Sequence, residues 1–183
     1  MNHKYKTSDT HPLQIYAVPV GNKGGLIGLS LCPGKTVNDQ SGNWRRDMVK
    51  DIAVLRSWNT CDVLSLITHQ EIMAMGIFGL SDALEAMGIE WHHLPIIDRQ
   101  TPCKGFDNMW NHLGAQFKTM LLDGGRLVIH CRGELGRAET IAAKILIETG
   151  HAPQAAIETI RAIRGPQAIQ APEQINYLLQ LTV

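Results

Sequence analysis

A cysteine and an arginine separated by five residues are the pair in this chain best suited to chemistry on a phosphate ester. They lie in the segment VIHCRGELGRAET, which spans 128–140 and contains Cys131 and Arg137. A thiolate is a nucleophile, and a guanidinium group binds two oxygens of a phosphate at once. The pair therefore suits the transfer of a phosphoryl group onto sulfur, followed by hydrolysis.

The residues between this pair are expected to form a cradle for an anion. A helix that begins near Gly136 leaves its first N–H groups without partners, and its dipole makes that end positive. A tight loop around the helix start aims further backbone N–H groups at the same point. We expect the same field to lower the pKa of Cys131 from ~8.5 to roughly 3.5–7.5. The predicted phosphate-binding residues are Arg132, Gly133, Glu134, Leu135, Gly136 and Arg137.

The leaving oxygen also needs a proton, which a carboxylic acid on a neighbouring loop can supply. Asp98 follows the apolar run EWHHLPII at 90–97 and is the predicted general acid. Asp107 is the fallback acid, although it better suits the cap of the next helix. The alternative is that Cys131 is an ordinary buried cysteine and Asp98 a turn residue.

Alternating strands and helices must position these residues. Apolar runs predict strands at 13–20, 25–31, 61–68, 90–97 and 126–130. Periodic segments predict helices at 44–59 with Asn43 as the cap, and at 69–76, 81–88, 108–125, 137–149, 152–164 and 171–181. Segment 32–43 is predicted to be a loop. This order predicts an α/β fold with a mostly parallel central sheet flanked by helices.

The composition restricts the class of protein. A chain of 183 residues suits one domain, predicted at 13–183 after a flexible N-terminal segment at 1–12. Its 17 basic and 17 acidic residues balance, which argues against a nucleic-acid partner. No apolar run approaches the ~20 residues of a membrane span, so a cytoplasmic protein is expected. The spacing of the four cysteines and eight histidines predicts no metal and no cofactor.

The segment VIHCRGELGRA resembles the H-C-x2-G-x2-G-R-S/T loop of the cysteine-dependent protein tyrosine and dual-specificity phosphatases. HHLPIIDRQTP is similar to the general-acid segment of the kinase-associated branch of that family. LCPGK and IRAIRGPQAIQAPEQINYLLQL are similar to its early and C-terminal elements. The resemblance extends from about residue 25 onward.

This resemblance implies a cysteine-phosphatase fold and specific roles. Cys131 would be the nucleophile, Arg137 the ligand of the phosphate and the transition state, and Asp98 the general acid. His130 would tune the thiolate. Gln170 matches a glutamine near the pocket, where it either positions water or serves the core or the helix entry. The implied substrate is a phosphorylated protein (on tyrosine, serine or threonine) or a small phosphate ester.

Three residues depart from the family pattern. Glu134 replaces a usual Gly, Ala138 replaces a Ser or Thr whose hydroxyl helps the sulfur leave, and Glu139 stands where Gly is common. We therefore expect weaker phosphate binding and slow breakdown of the phospho-cysteine. Two alternatives follow: a phosphate-binding pseudophosphatase, and arsenate reduction or sulfur transfer. Arsenate reduction would need a resolving thiol, for which Cys103 is the candidate.

Overall fold

A mostly parallel sheet of five strands forms the centre of the structure, a computed structural model that describes residues 5–39, 42–133 and 135–181. The strands are β1 (Tyr16–Val20), β2 (Gly25–Ser30), β3 (Thr36–Asp39), β4 (Gly42–Arg45), β5 (Asp62–Ser65), β6 (Glu90–His93) and β7 (Arg126–His130). The helices are α1 (Met48–Ser57), α2 (His69–Met75), α3 (Leu80–Glu85), α4 (Lys104–Leu122), α5 (Arg137–Glu148), α6 (Pro153–Arg164) and α7 (Pro172–Leu179).

The strand order of the central sheet is β1-β2-β7-β5-β6. β7 lies in the middle and pairs in parallel with both β2 and β5, while β1 joins β2 antiparallel. The apolar runs of β2, β5 and β7 are largely buried because helices cover both faces of the sheet. The carboxyl ends of β2, β7, β5 and β6 therefore meet at one edge, where α/β proteins bind ligands. The predicted fold class is confirmed.

Two helical layers enclose the sheet. One face packs against α1, α2 and α3 through residues such as Leu55, Met75 and Leu84. The other face packs against the remaining four helices, through residues such as Phe117 and Ile141. Helix α5 is the most deeply placed of them, since every residue from 137 to 147 is buried.

The predicted loop at 32–43 is wrong, because it contains most of a two-stranded hairpin. β3 pairs antiparallel with β4, and Trp44 lies opposite Val37. Trp44 is buried, and Lys6 donates its N–H to the carbonyl of Asn43 at 2.8 Å. The two strands are stabilised by the packing of one tryptophan and by pairing with the N-terminal segment. Their polar composition does not predict a strand.

Two helices start four residues away from the predicted positions, and α3 ends at Glu85, not at 88. α1 begins at Met48, not at 44, and its cap is Asp47, whose side chain accepts from the N–H of Lys50. The predicted cap Asn43 lies in β4 instead. α4 begins at Lys104, before the predicted 108. The predicted end of α2 is confirmed, because Gly76 adopts a left-handed conformation there.

Part of the segment predicted to be flexible packs against the rest of the chain. Ser8 is buried, and its hydroxyl donates to Asp51 Oδ1 at 2.8 Å. Asp51 also forms a buried ion pair with Arg46. Packed structure therefore begins before residue 13, and the division into 1–12 and 13–183 stays a prediction. Within the described ranges, no helix is long and apolar enough to cross a bilayer.

Candidate active site

Cys131 directly follows the central strand β7, at the edge where the parallel strands end. Leu127, Val128 and Ile129 of this strand are completely buried, so the sheet holds the backbone that leads into the cysteine. Cys131 itself is only 2% exposed. The proposed nucleophile therefore begins from a fixed strand end, while the loop that follows it is irregular.

The loop after Cys131 turns its backbone around the sulfur. The backbone N–H groups of Gly133 and Ala138 act on the cysteine sulfur and favour its thiolate form. Gly133 has a φ of 118°, and a Cβ there would overlap the Leu31 side chain, so glycine is required. Leu135 also has a positive φ, 59°, although it is not a glycine. Glu134 lies outside the described residues.

Two contacts from other segments hold this loop. The Lys35 ammonium group is completely buried and donates to the Arg132 carbonyl at 3.0 Å. On the other side, the N–H of Ile169 donates to the Leu135 carbonyl at 2.8 Å. Gly136 is the N-cap of α5 and makes no side-chain hydrogen bond, so no capping side chain of its own competes with an anion for the first N–H groups of the helix.

Arg137 is held from one side by a carboxylate that the sequence analysis missed. Its Nη1 and Nη2 donate to the two oxygens of Glu71 at 2.7 and 2.8 Å. Nη1 also donates to the Ile96 carbonyl at 2.9 Å. The opposite edge of the guanidinium is less occupied: Nη2 lies 3.2 Å from Asp98, and Nε has no partner among the described residues.

Glu71 is positioned by the start of α2. Thr68 is the N-cap, and its side chain and that of Glu71 form a reciprocal capping box. Burial opposes ionisation of Glu71, but hydrogen bonds from Arg137 and Thr68 hold its pKa below the ordinary value. The pattern Thr-x-x-Glu is the sequence signal that points to this residue, although it predicts only a cap.

Asp98 lies at the mouth of the site. Its side chain is 41% exposed and contacts the buried guanidinium of Arg137. With Gln170 and Gln174 it lines a cavity of about 180 Å³ that also touches Leu135 and Gly136 of the loop. The structure therefore brings Asp98 and Gln170 to the loop. It places the fallback acid, Asp107, in the first turn of α4, not at its cap.

Gln174 is a second residue of this cavity that the sequence analysis missed. It is 1% exposed, and its amide donates to the Gln100 carbonyl at 3.1 Å. A Cβ on Gly136 would lie 3.2 Å from its oxygen. Gln174 therefore connects α7 both to the segment after Asp98 and to the start of α5. Gln170, in contrast, is exposed.

The expectation of a lowered pKa at Cys131 is wrong in this structure. Burial of the thiol raises its pKa, and the negative charge of Glu139 raises it further. Arg137 and the N–H groups of Ala138 and Gly133 act in the opposite direction but do not prevail. Glu139 is itself buried and pairs with Arg164 at 3.0 Å.

The other cysteines fall into two classes. Cys61 and Cys103 are exposed, and Cys103 caps α4. Cys32 is buried, and its pKa is raised by burial and by the charge of Cys131. Electrostatic coupling to Cys131 thus identifies Cys32, which the sequence analysis did not consider, as a thiol close to the site.

One group of potential metal ligands occurs among the described residues, and it lies elsewhere. Nε2 of His92 is 2.7 Å from Asp62 and 3.7 Å from Glu90. Asp62 and Glu90 begin β5 and β6, so the group lies at the opposite end of the strands from Cys131. It takes no part in the loop chemistry.

The parallel sheet, the cysteine loop at its carboxyl edge and the arginine on the following helix define the class of cysteine-dependent phosphatases. Among solved structures, a kinase associated phosphatase with its catalytic-site cysteine substituted by serine is similar to this chain. The two share a TM-score of 0.80 and 30% sequence identity, over 91% of this chain and 92% of that one.

Within that class the chain belongs to the cyclin-dependent kinase inhibitor 3 family, whose sequence profile matches residues 5–157. The cyclin-dependent kinase inhibitor 3 of Rattus norvegicus is 34% identical over 171 residues, which cover 91% of this chain and 77% of the relative. The Homo sapiens protein is 30% identical over 191 residues, with coverage of 96% and 84%. The resemblance inferred from the cysteine loop is confirmed.

Proposed function

We propose that this chain hydrolyses phosphate monoesters on proteins, on tyrosine, serine or threonine, through a phospho-cysteine intermediate and without a metal. The observation that carries this proposal is the half-occupied guanidinium of Arg137. Glu71 holds its Nη1–Nη2 edge, while Asp98 is the one described residue recorded beside the Nε–Nη2 edge. That free edge suits two oxygens of a phosphate, which arginine binds in a bidentate way.

In the proposed first step, the phosphate displaces Asp98 from Arg137 and occupies the N–H groups of the loop. The Cys131 thiolate attacks phosphorus, and the bond to the leaving oxygen breaks. Asp98, released from Arg137, takes up a proton from solvent and gives it to that oxygen. In the second step Asp98 takes a proton from water as the water attacks phosphorus, and the sulfur leaves as a thiolate. Inorganic phosphate is released, and the Asp98 proton is ready for the next cycle.

The relatives support a phosphoprotein substrate. One similar solved structure is a kinase associated phosphatase that has a catalytic-site cysteine. A relative in Dictyostelium discoideum, 38% identical over 101 residues, is named a probable protein tyrosine phosphatase. A cytoplasmic location and the exclusion of nucleic acid stay predictions from composition.

The test is hydrolysis of p-nitrophenyl phosphate between pH 5 and 8 in the presence of a chelator. We expect turnover by the native chain and by Cys61→Ser, an exposed control cysteine, but none by Cys131→Ser. Phosphotyrosine, phosphoserine and phosphothreonine peptides then define the preference. Turnover that survives in Cys131→Ser, or that disappears with the chelator, would overturn the proposal.

A second candidate function is phosphate binding without efficient turnover. The raised pKa of the Cys131 thiol and the missing hydroxyl at Ala138 both favour it. In that case the native chain binds vanadate but releases no p-nitrophenol, and Ala138→Ser or Glu134→Gly gains turnover. If the native chain is already active and Ala138→Ser adds less than twofold, the binding-only function is excluded.

A further inference from the structure

A chain of hydrogen bonds runs from the edge of the sheet to the backbone of the proposed nucleophile. The indole N–H of Trp91 in β6 donates to Ser65 Oγ in β5 at 2.7 Å. That oxygen lies 2.5 Å from Nε2 of His130 in β7. Nδ1 of His130 lies 3.4 Å from the Cys131 carbonyl. Ser65 and His130 are completely buried, so water does not reach the contact between these two side chains.

The chemistry of the three side chains determines which group donates and which accepts in each hydrogen bond. An indole nitrogen only donates, so Ser65 Oγ accepts from Trp91 and has one hydrogen left to donate. The described structure places Nε2 of His130 within reach of that hydrogen. Nε2 then accepts, and the imidazole hydrogen must lie on Nδ1, which faces the Cys131 carbonyl.

The charge state of His130 agrees with this direction. Burial lowers its pKa to about 4; the hydrogen bond to the Cys131 carbonyl acts in the opposite direction, and the smaller effects of His93 and Arg137 add to that of burial. The imidazole is therefore neutral near pH 7 and has one hydrogen to place. His93 faces it from β6 and Arg137 from α5, and both disfavour a second proton.

Strand register fixes the geometry. Ser65 pairs with His130 across the β5–β7 ladder, and Val63 pairs with Trp91 across the β5–β6 ladder. Side chains two residues apart on a strand share a face, so Trp91 reaches Ser65 diagonally. Three parallel strands thus place the hydrogen-bonded side chains next to one another, and no loop is needed to hold them.

The last contact of this hydrogen-bond chain, between His130 and the Cys131 carbonyl, affects the phosphate loop. In a trans peptide the C=O and N–H groups point in opposite directions. A carbonyl of Cys131 that is turned toward His130 therefore directs the N–H of Arg132 to the other side, into the cradle. We propose that Ser65 and Trp91 are positioning residues, which fix His130 in its Nδ1–H form and thereby keep this N–H facing the anion.

This inference rests on the proposed function for its catalytic consequence, so the first test avoids catalysis. Imidazole ¹⁵N chemical shifts of the ¹⁵N-histidine-labelled chain distinguish a protonated from an unprotonated nitrogen. The His130 signals are those missing from His130→Gln. We expect one neutral form, with the hydrogen on Nδ1, from pH 8 down to pH 5. A hydrogen on Nε2, or titration within this range, would overturn the inference.

The second test uses matched variants and vanadate, a phosphate analogue. Ser65→Ala removes the hydroxyl that connects Trp91 to His130, and Trp91→Phe removes the indole N–H that donates to Ser65. Trp58→Phe is a control that removes an indole N–H elsewhere. Ser65→Ala is expected to weaken vanadate binding and kcat/KM on the order of tenfold. Trp91→Phe should have a smaller effect, because Ser65 can still donate to His130. Ser65→Thr, which keeps the hydroxyl, should restore most of the binding.

The outcomes separate positioning from simple stability. If Ser65→Ala lowers only the urea midpoint and leaves vanadate affinity unchanged in the folded protein, the positioning role is wrong. If the native chain has no turnover but the tautomer and the vanadate effect are as expected, the proposed phosphatase function fails while this inference stands.

Discussion

At the level of single residues, Glu139 works against the thiolate that the loop would stabilise. One of its oxygens accepts from Nε of Arg164, and the other has no partner among the described residues. A negative charge in the first turn of α5 interacts favourably with the helix dipole. The same charge raises the pKa of Cys131, second only to burial. Helix stability and nucleophile activation therefore compete at this position.

We predict that Glu139→Gln activates Cys131. The amide oxygen can still accept from Arg164, while the charge that opposes thiolate formation is gone. Iodoacetamide should alkylate Cys131 faster at pH 7, on the order of threefold, because a lower pKa increases the fraction of the reactive thiolate. The rate is measured by mass spectrometry of the Cys131 peptide between pH 6 and 9, in a Cys61→Ser and Cys103→Ser background.

Glu158→Gln is the matched control for this prediction, since Glu158 is an exposed residue of α6. Its alkylation profile should coincide with that of the background chain. An unchanged profile in Glu139→Gln, or one shifted to higher pH, would mean that Glu139 does not restrain the thiol.

The sequence predicts residues of the site that lie in one contiguous motif better than those that come from distant segments. Cys131, Gly133 and Arg137 occur together in a pattern that defines their chemistry. Lys35 and Glu71 come from other segments and look like a loop lysine and a helix-capping glutamate. Only the packed structure shows that both contact the loop or its arginine.

At the level of elements, a single carboxylate of α2 binds the first residue of α5. Glu71 accepts from the N–H of Thr68 at 2.8 Å and from both Nη atoms of Arg137. The residue thus caps its own helix and holds the first residue of another. Arg137 is almost completely buried, so an uncompensated positive charge there would be costly.

Glu71→Gln should therefore reduce both stability and activity. We expect a loss of about 3 kcal/mol in the free energy of unfolding, the size found when one partner of a buried ion pair is removed. kcat/KM for p-nitrophenyl phosphate should fall at least about tenfold, because Arg137 is no longer oriented. Urea unfolding and steady-state kinetics measure the two effects.

Glu85→Gln, at an exposed position of α3, should change neither quantity. If Glu71→Gln keeps native kcat/KM, then Asp98 and the backbone carbonyls are sufficient to orient Arg137, and the clamp from α2 is not needed for binding.

Elements were predictable where packing and local sequence agree. The apolar strands β2, β5 and β7 and the periodic helices α5 and α6 follow directly from the hydrophobic pattern. The β3–β4 hairpin did not, because Thr36–Asp39 and Gly42–Arg45 are mostly polar. Asn43 and Asp47 both suit a helix cap, and only the pairing of β4 with β3 decides between them.

At the level of the whole molecule, the carboxyl edge of the sheet buries titratable groups that an ordinary core would exclude. Arg137 and Glu71 compensate each other by direct pairing. His130 is different, because it remains buried by staying neutral. Its proton uptake must therefore be coupled to unfolding of the entire chain.

The sign of this coupling follows from the two states. The pKa of His130 is about 4 when folded and about 6.5 when unfolded, so the unfolded chain binds more protons between these values. The neutral residue contributes its full stability above pH 6.5, and this contribution disappears as the pH falls toward 4. The difference corresponds to about 3 kcal/mol. His93, whose pKa is also lowered by burial, acts in the same direction.

We predict that His130→Gln removes most of this dependence. Its free energy of unfolding by urea, measured between pH 7 and 4, should fall less steeply than that of the native chain, whatever its absolute value. His112→Gln, an exposed control on α4, should retain the native slope. The carboxylate Glu71, whose pKa Arg137 holds below the ordinary value of 4.5, begins to lose its stabilising contribution only below about pH 4.5, and it does so in both chains alike. Parallel slopes for the native chain and His130→Gln between pH 6.5 and 4 would therefore show that His130 is accessible to protons in the folded state.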